Sequence, residues 1–221
     1  MKFYPKGHTY FEGDQQYLCV SDWVKQYTKP FPKEEVAKRI AKRDDLQVED
    51  ILNKWSLKAN YATAYGNSIH KAIEYWIKYQ EIPDHAHLKK VIKEFRKVIT
   101  CKNLFSEIIL HDPERKIAGT ADVIEALGNK WIDISDIKTN GNIYKKGYNK
   151  LLPPFQDLTD SPLDKYRLQL SMYKHLAEVQ GFKVRKLKIP YWSGTKFEII
   201  PINPIKLWVS IQQKISVEKK Q

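Results

Sequence analysis

Cysteine is scarce: Cys19 and Cys101 stand alone in 221 residues. Two thiols cannot build a disulfide scaffold, a four-cysteine zinc site or a cysteine-ligated iron–sulfur cluster. No apolar run approaches the roughly 20 residues that a membrane helix needs. The opening MKFYPKGHTY lacks the apolar core of a secretory signal. A reduced, cytoplasmic location with no membrane partner is therefore expected. Internal repeats, low-complexity tracts and long Gly/Ser linkers are missing too, so no sharp domain boundary is visible. Nor is there a Gly-x-x-x-x-Gly-Lys-[Ser/Thr] phosphate loop, so any nucleotide-driven motor that works with this chain would be a separate protein.

What the chain does have is core-forming material and positive charge. With 42% hydrophobic residues and 13 Tyr, 8 Phe and 6 Trp, it can bury a real core and is not disordered throughout. Its 38 basic and 26 acidic side chains leave a formal charge of +12. Residues 101–140 reverse that balance, with 5 basic against 7 acidic, whereas 141–221 carry 15 against 6. An acidic island inside a basic chain suits a metal site beneath a polyanion, and it equally suits a lysine-rich solvated surface.

Periodicity orders the elements. Residues 8–20 read as a hairpin turning at Gly13-Asp14, followed by a short helix capped by Ser21. Charged amphipathic helices are expected at 33–43 and 47–58. Helical apolar stripes follow at 62–80 (Ile69, Ala72, Ile73, Trp76, Ile77) and at 84–100. The period then changes, and 105–111, 117–126 and 130–138 read as three strands, the last two joined at Gly128-Asn129. A long polar loop spans 140–160, of a length that usually signals function. Ser161-Pro162-Leu163-Asp164 opens a helix that ends before Gly181. Strands at 186–192 and 196–201 and a helix at 203–217 complete an α/β core with a helical cap. The division expected is an N-terminal hairpin and helical extension over 1–61 and a core over 62–221.

Several side chains are suited to chemistry. Asp136 and Lys138 leave the same face of a strand, with Ile137 anchoring the other. Asp122 lies on the preceding strand, within Gly119-Thr120-Ala121-Asp122, and antiparallel pairing would bring both carboxylates to one oxygen-liking cation. Asp133 falls on the opposite face and is set aside. Gly119 either permits close backbone approach or marks a bulge. His70 sits at the edge of a buried helical stripe, with Glu74 one turn later. Gln169 and Tyr173 share a face within an apolar stripe, so the glutamine needs a polar partner or a cleft. Glu107 is either a further carboxylate for the metal or an edge charge.

In order, Gly66-x-x-x-His70, Glu107, Gly119-x-x-Asp122, Asp136-x-Lys138 and Gln169-x-x-x-Tyr173 resemble the RecB-like nucleases of the PD-(D/E)XK superfamily. The resemblance covers roughly residues 62–180. It is strongest to small stand-alone phage exonucleases and the mitochondrial genome maintenance exonuclease, and Trp55 and the run from Tyr166 to Tyr173 add to it. It implies a restriction-endonuclease-like core, a mixed central sheet flanked by helices. It further implies a Mg²⁺- or Mn²⁺-dependent exonuclease acting on single-stranded DNA or free ends, in recombination, repair or DNA processing. The metal would be held by His70, Asp122, Asp136 and the Ile137 carbonyl, with Glu107 serving a second ion. Lys138 would stabilise the reacting phosphate, while Gln169 and Tyr173 fix the active groups. Tyr144, Lys145, Lys146, Tyr148 and Lys150 would grip the DNA. An iron–sulfur cluster is not expected, and a phage-encoded chain would act in the host cytoplasm. The alternatives are a structure- or sequence-specific endonuclease on the same fold and a non-catalytic nucleic-acid-binding module.

Overall fold

The computed structural model describes residues 1–5, 7 and 9–207. The chain enters through β1 (Lys2–Tyr4), β2 (Thr9–Glu12) and β3 (Gln15–Cys19), paired antiparallel in sequence. The β2–β3 turn falls at Gly13-Asp14 as expected, with Gly13 at φ +57° supplying the left-handed conformation that such tight hairpins require. Helix α1 (Val20–Lys25) follows without a break. Ser21 does not cap it: Cys19 occupies that position and makes no side-chain capping bond. The start is set by tertiary pairing, because Cys19 is still aligned with Ala118 across the sheet.

Two helices come next, α2 (Lys33–Asp44) and α3 (Val48–Tyr79). Separate helices were expected at 47–58 and 62–80, yet α3 is one helix of 32 residues that passes residue 61 uninterrupted. No proline stands in the Ala59-Asn60-Tyr61 link, so helix propagation has nothing to stop it. Residues 56–64 are exposed all round, and this missing buried stripe is why the periodicity falls silent there. The first half of α3 packs on α2 through Ala37, Ala41 and Ile51. Its second half lays Ile69, Ile73 and Trp76 against α4 (Ala86–Val98) and against Val123, Ile137 and Trp192 of the sheet.

The remaining elements are β4 (Leu104–Asp112), β5 (Ile117–Gly128), β6 (Trp131–Ser135), α5 (Pro162–Val179), β7 (Lys183–Trp192) and β8 (Phe197–Ile202). The sheet runs β1-β2-β3-β5-β6-β7-β8, with β4 also on β5. It is mixed: β3–β5 and β6–β7 are parallel, and the other pairs are antiparallel. Helix α5 makes the β6–β7 crossover and buries Leu170, Leu176 and Ala177 with Ile134, Leu187 and Ile189. Each leucine and isoleucine among them contributes about 1.5–3 kcal/mol on burial. Ser161 Oγ accepts the Asp164 N–H at 3.1 Å, with Pro162 in the first turn. The Asp164 carboxylate turns back to Thr159 instead of closing a reciprocal box. Gly181, at φ +85°, ends the helix as expected. Of the helix expected at 203–217, residues 208–217 lie outside the described residues. Among the described residues, no helix is long and apolar enough to cross a membrane.

Candidate metal centre and catalytic cleft

The site forms where the sheet comes apart. On one edge, β5 pairs with β3 only at Ile117 and Ala118, and with β6 only from Val123 onward. Between them the edge is open. Regular β6 pairing ends at Ser135, short of the expected 138, but the next residues keep following β7. Asp136 N–H donates to Lys188 O at 3.1 Å and Lys138 N–H to Pro190 O at 3.1 Å. The segment 136–138 therefore stays with β7 while it leaves β5. Asp122 crosses the opening, its Oδ2 accepting the Ile137 N–H at 2.6 Å. That bond satisfies a donor which the parting of the strands would otherwise leave unpaired.

Register then lines up three carboxylates. Ser106 pairs with Val123 and Ile108 with Ala121, which puts Glu107 opposite Asp122 across β4 and β5. Val123 pairs with Ser135, so Asp136 is next in line opposite Asp122 on the other side. Both pairings are skipped by the ladder. Like charges set directly opposite one another destabilise a sheet. Glu107 carries a second cost, a left-handed φ of +55° in the middle of a strand. Burial, then Asp122 and Glu74, push its carboxyl up to about 7. A cation would relieve this repulsion.

His70 completes the donor set from α3. Its Nδ1 lies 3.5 Å from Asp122 Oδ2. Burial disfavours the imidazolium, but Asp122 outweighs it and the His70 pKa is raised. Asp122 shows the converse: burial raises its pKa, and His70, Lys138 and the Ile137 N–H bring it below the ordinary value. One ligand atom from each of His70, Glu107 and Asp122 lies within 4.8 Å of the others. One imidazole with carboxylate oxygens suits Mg²⁺ or Mn²⁺ better than a soft metal. The residues present fit a divalent cation.

Asp136 is buried and forms an ion pair with Lys138 Nζ. Burial pushes the Asp136 carboxyl up, and Lys138 opposes that shift only in part. Burial also disfavours the Lys138 ammonium, but Asp136 and Asp122 outweigh it and hold the proton on. From α5, Gln169 Nε2 reaches Asp136 Oδ1 at 3.5 Å and Tyr173 Oη at 3.1 Å. The glutamine in the apolar stripe thus has its partners. Gly119 is a close-approach glycine, since a Cβ there would stand 2.6 Å from Tyr173 Cε1 and 2.8 Å from Val20. Gly66 does the same for α3, where a Cβ would meet Thr139 Oγ1 at 2.9 Å. The two motif glycines let α5 and α3 close on the parted strands.

A cleft of about 440 Å³ is lined by Glu107, Asp122, Asp136, Lys138, Gln169 and Tyr173. Its far wall, Cys19, Ser21, Asp22 and Lys25, comes from β3 and α1. Sequence reasoning missed that wall, and no local signal marks it. Tyr166 was missed as a site residue as well: Lys138 Nζ lies 4.7 Å from its ring centroid. Asp133, set aside above, is fully buried and bonded to Arg185 at 2.9 and 2.7 Å. In the 140–160 loop, Tyr144, Lys145, Lys146, Tyr148 and Lys150 are all exposed. Tyr144 packs edge-on to Tyr191, which is bridged to Lys138, so it stands near the cleft. Tyr148 is 87% exposed, with Lys145 Nζ 5.7 Å from its ring. Buried Leu151, Phe155 and Leu158 hold the rest of the loop down, with Phe155 edge-on to Tyr27 of the turn after α1.

No family model matches the chain, and no curated protein matches it in sequence. Among solved structures, it is similar to SSO0001 at 18% identity and a TM-score of 0.35, over 69% of this chain and 72% of that one. It is also similar to a protein from Eubacterium rectale provisionally named an exonuclease. That match has 12% identity and a TM-score of 0.36, over 88% of this chain and 68% of the other.

Proposed function

We propose that the chain is a divalent-metal-dependent deoxyribonuclease with a PD-(D/E)XK core, working as an exonuclease on single-stranded or frayed ends. The carrying observation is the row Glu107–Asp122–Asp136 across an opened sheet, with His70 and Lys138 beside it. A binding module has no need for a row of three carboxylates, two half-buried and one buried, and gains no stability from it.

In this reading His70, Asp122 and Glu107 hold the cation, and Asp136 and the Ile137 carbonyl add oxygens from the parted segment. A bound divalent cation supplies Lewis-acid polarisation of a phosphate oxygen and lowers the pKa of water at neutral pH. Lys138 is the protein's own electrophile. It keeps its proton, lies beside Asp136, and stabilises charge that develops on the phosphate in flight. Gln169 holds the Asp136 carboxylate from behind and is itself held by Tyr173. Tyr144 and Tyr148 offer stacking faces, and Lys145, Lys146 and Lys150 pair with phosphates along a strand entering the cleft. A separate helicase or recombination protein would supply opened DNA.

End-labelled linear DNA and covalently closed single-stranded circles, each with Mg²⁺ or Mn²⁺, test this reading. Linear strands should shorten from an end and circles should survive, with rates falling steeply as salt rises. Rapid cutting of closed circles would replace the exonuclease by a structure- or sequence-specific endonuclease. Tight binding without cleavage under either metal would leave only the binding module.

A further inference from the structure

We propose that Tyr166 is a positioning residue, the seat that keeps the Lys138 ammonium in place once a cation takes its carboxylate partner. The inference rests on the nuclease reading in assigning Lys138 a role, but its geometry stands independently. Without a metal, Lys138 Nζ is held by Asp136. In the proposed reading Asp136 would also give an oxygen to the cation, so the ion pair would compete with metal binding. A lysine that loses its carboxylate partner can swing on four rotatable bonds away from the phosphate.

Tyr166 supplies what the metal cannot take away. Its ring centroid lies 4.7 Å from Lys138 Nζ, inside the range of a cation–π contact. A hard divalent cation has little use for an aromatic face. The ring is itself immobilised, because its hydroxyl donates to Asn140 Oδ1 at 3.2 Å. Asn140 is two residues beyond Lys138, so the clamp closes on the segment it serves. The Lys138 backbone is pinned by its bond to Pro190 O and by the Trp192 N–H bonded at 2.8 Å to its carbonyl. Only the side chain is left to be positioned, and the ring bounds it from the α5 side. Tyr166 is one turn before Gln169 and two before Tyr173, so one helix face supports both Asp136 and Lys138.

The test uses Tyr166→Phe, which keeps the ring face, and Tyr166→Leu, which removes it. In protein labelled at lysine Cε, the Lys138 methylene protons should resonate upfield through the ring current, with and without Mg²⁺. Lys138→Ala assigns the signal. Tyr166→Phe should keep the upfield position, and Tyr166→Leu should lose it while circular dichroism stays native. On single-stranded DNA, Tyr166→Leu should lower kcat about 10-fold with KM nearly unchanged, and the phenylalanine variant should recover most of that loss. An ordinary chemical shift in the folded wild-type protein would overturn the seat. So would loss of the shift when Mg²⁺ binds, an unchanged kcat in Tyr166→Leu, or equal losses in both variants. If the wild-type protein cleaves no DNA with any divalent cation, the nuclease reading fails, and the resonance still decides the contact.

Discussion

Glu107 and Asp122 face each other on neighbouring antiparallel strands, yet the ladder skips that one pair while keeping the pairs on either side. The two carboxylates, with His70, bring ligand atoms within 4.8 Å of one another. Elsewhere the protein neutralises its buried acids. Asp112 is held by His175 at 2.8 Å and by Arg115, and Asp133 by Arg185. At Glu107–Asp122, His70 faces Asp122 while the Glu107 carboxyl stays pushed up to about 7, so the cluster keeps uncompensated negative charge.

Asp122→Asn should abolish cleavage and leave DNA binding intact or stronger, because a repelling charge is removed beside the phosphate path. Asp136→Asn should behave alike. Steady-state cleavage paired with a fluorescence-anisotropy titration checks both. Wild-type turnover in either variant would disqualify the metal set.

The pH dependence follows from Glu107. Its folded pKa, about 7, lies above the ordinary 4.5. The folded state therefore binds the proton more tightly, and metal-free stability should fall as pH rises from about 4.5 through about 7. Asp136 and His70 are also raised and act in the same direction. Calorimetry of metal-free protein should show Tm dropping across that interval. Glu107→Gln should flatten the drop, and saturating Mg²⁺ should raise Tm most at the high-pH end. A metal-free Tm that rises with pH there would contradict the assignment.

Gly119→Ala should destabilise the fold by about 1–3 kcal/mol, the usual cost of overpacking a core. The new methyl would fall on Tyr173 and Val20. Because Tyr173 braces Gln169, turnover should decline with stability. Urea denaturation measures the first effect; an unchanged midpoint would mean that Gly119 merely marks a flexible edge.

Asp133→Asn provides the control. It strips the carboxylate from Arg185 and from Lys188, 3.4 Å away. Arg185 is half exposed and Lys188 keeps Glu125, so the loss should be about 1–3 kcal/mol, the usual cost of a buried polar group left without its partner. Metal affinity and turnover of the folded fraction should stay at wild-type levels, and a loss of metal binding would move the site to the other sheet face.

Much of the fold was legible because its signals are local. The Gly13-Asp14 hairpin, the Ser161-Pro162 helix start and the Gly181 stop are written in a few adjacent residues, and α4 and β5 in their periodicity. The fusion of α3 was not legible, because its exposed middle has no apolar stripe from which to read continuity. Ser21 looked like a cap because nothing nearby shows that β3 stays paired up to Cys19. In the site, Asp122, Asp136 and Lys138 could be paired on paper through one turn. Glu107 was left between metal and edge charge, and Tyr166, Ser21 and Lys25 were passed over, since their proximity depends on strand register and helix docking.

The sequence by itself determined which residue types are available and in what order: a helical histidine, three acids and a lysine on successive strands, and glycines where helices must approach. Side-chain chemistry and periodicity are properties of short segments, so they survive without the fold. Only the tertiary structure decided that Glu107, Asp122 and Asp136 share one row, because a row depends on two strand registers at once. It also decided that segment 136–138 follows β7 and abandons β5. That parting opens the sheet and gives Asp122 a backbone partner. It also brings Glu107 and Asp122 beside His70, where their ligand atoms could hold a cation.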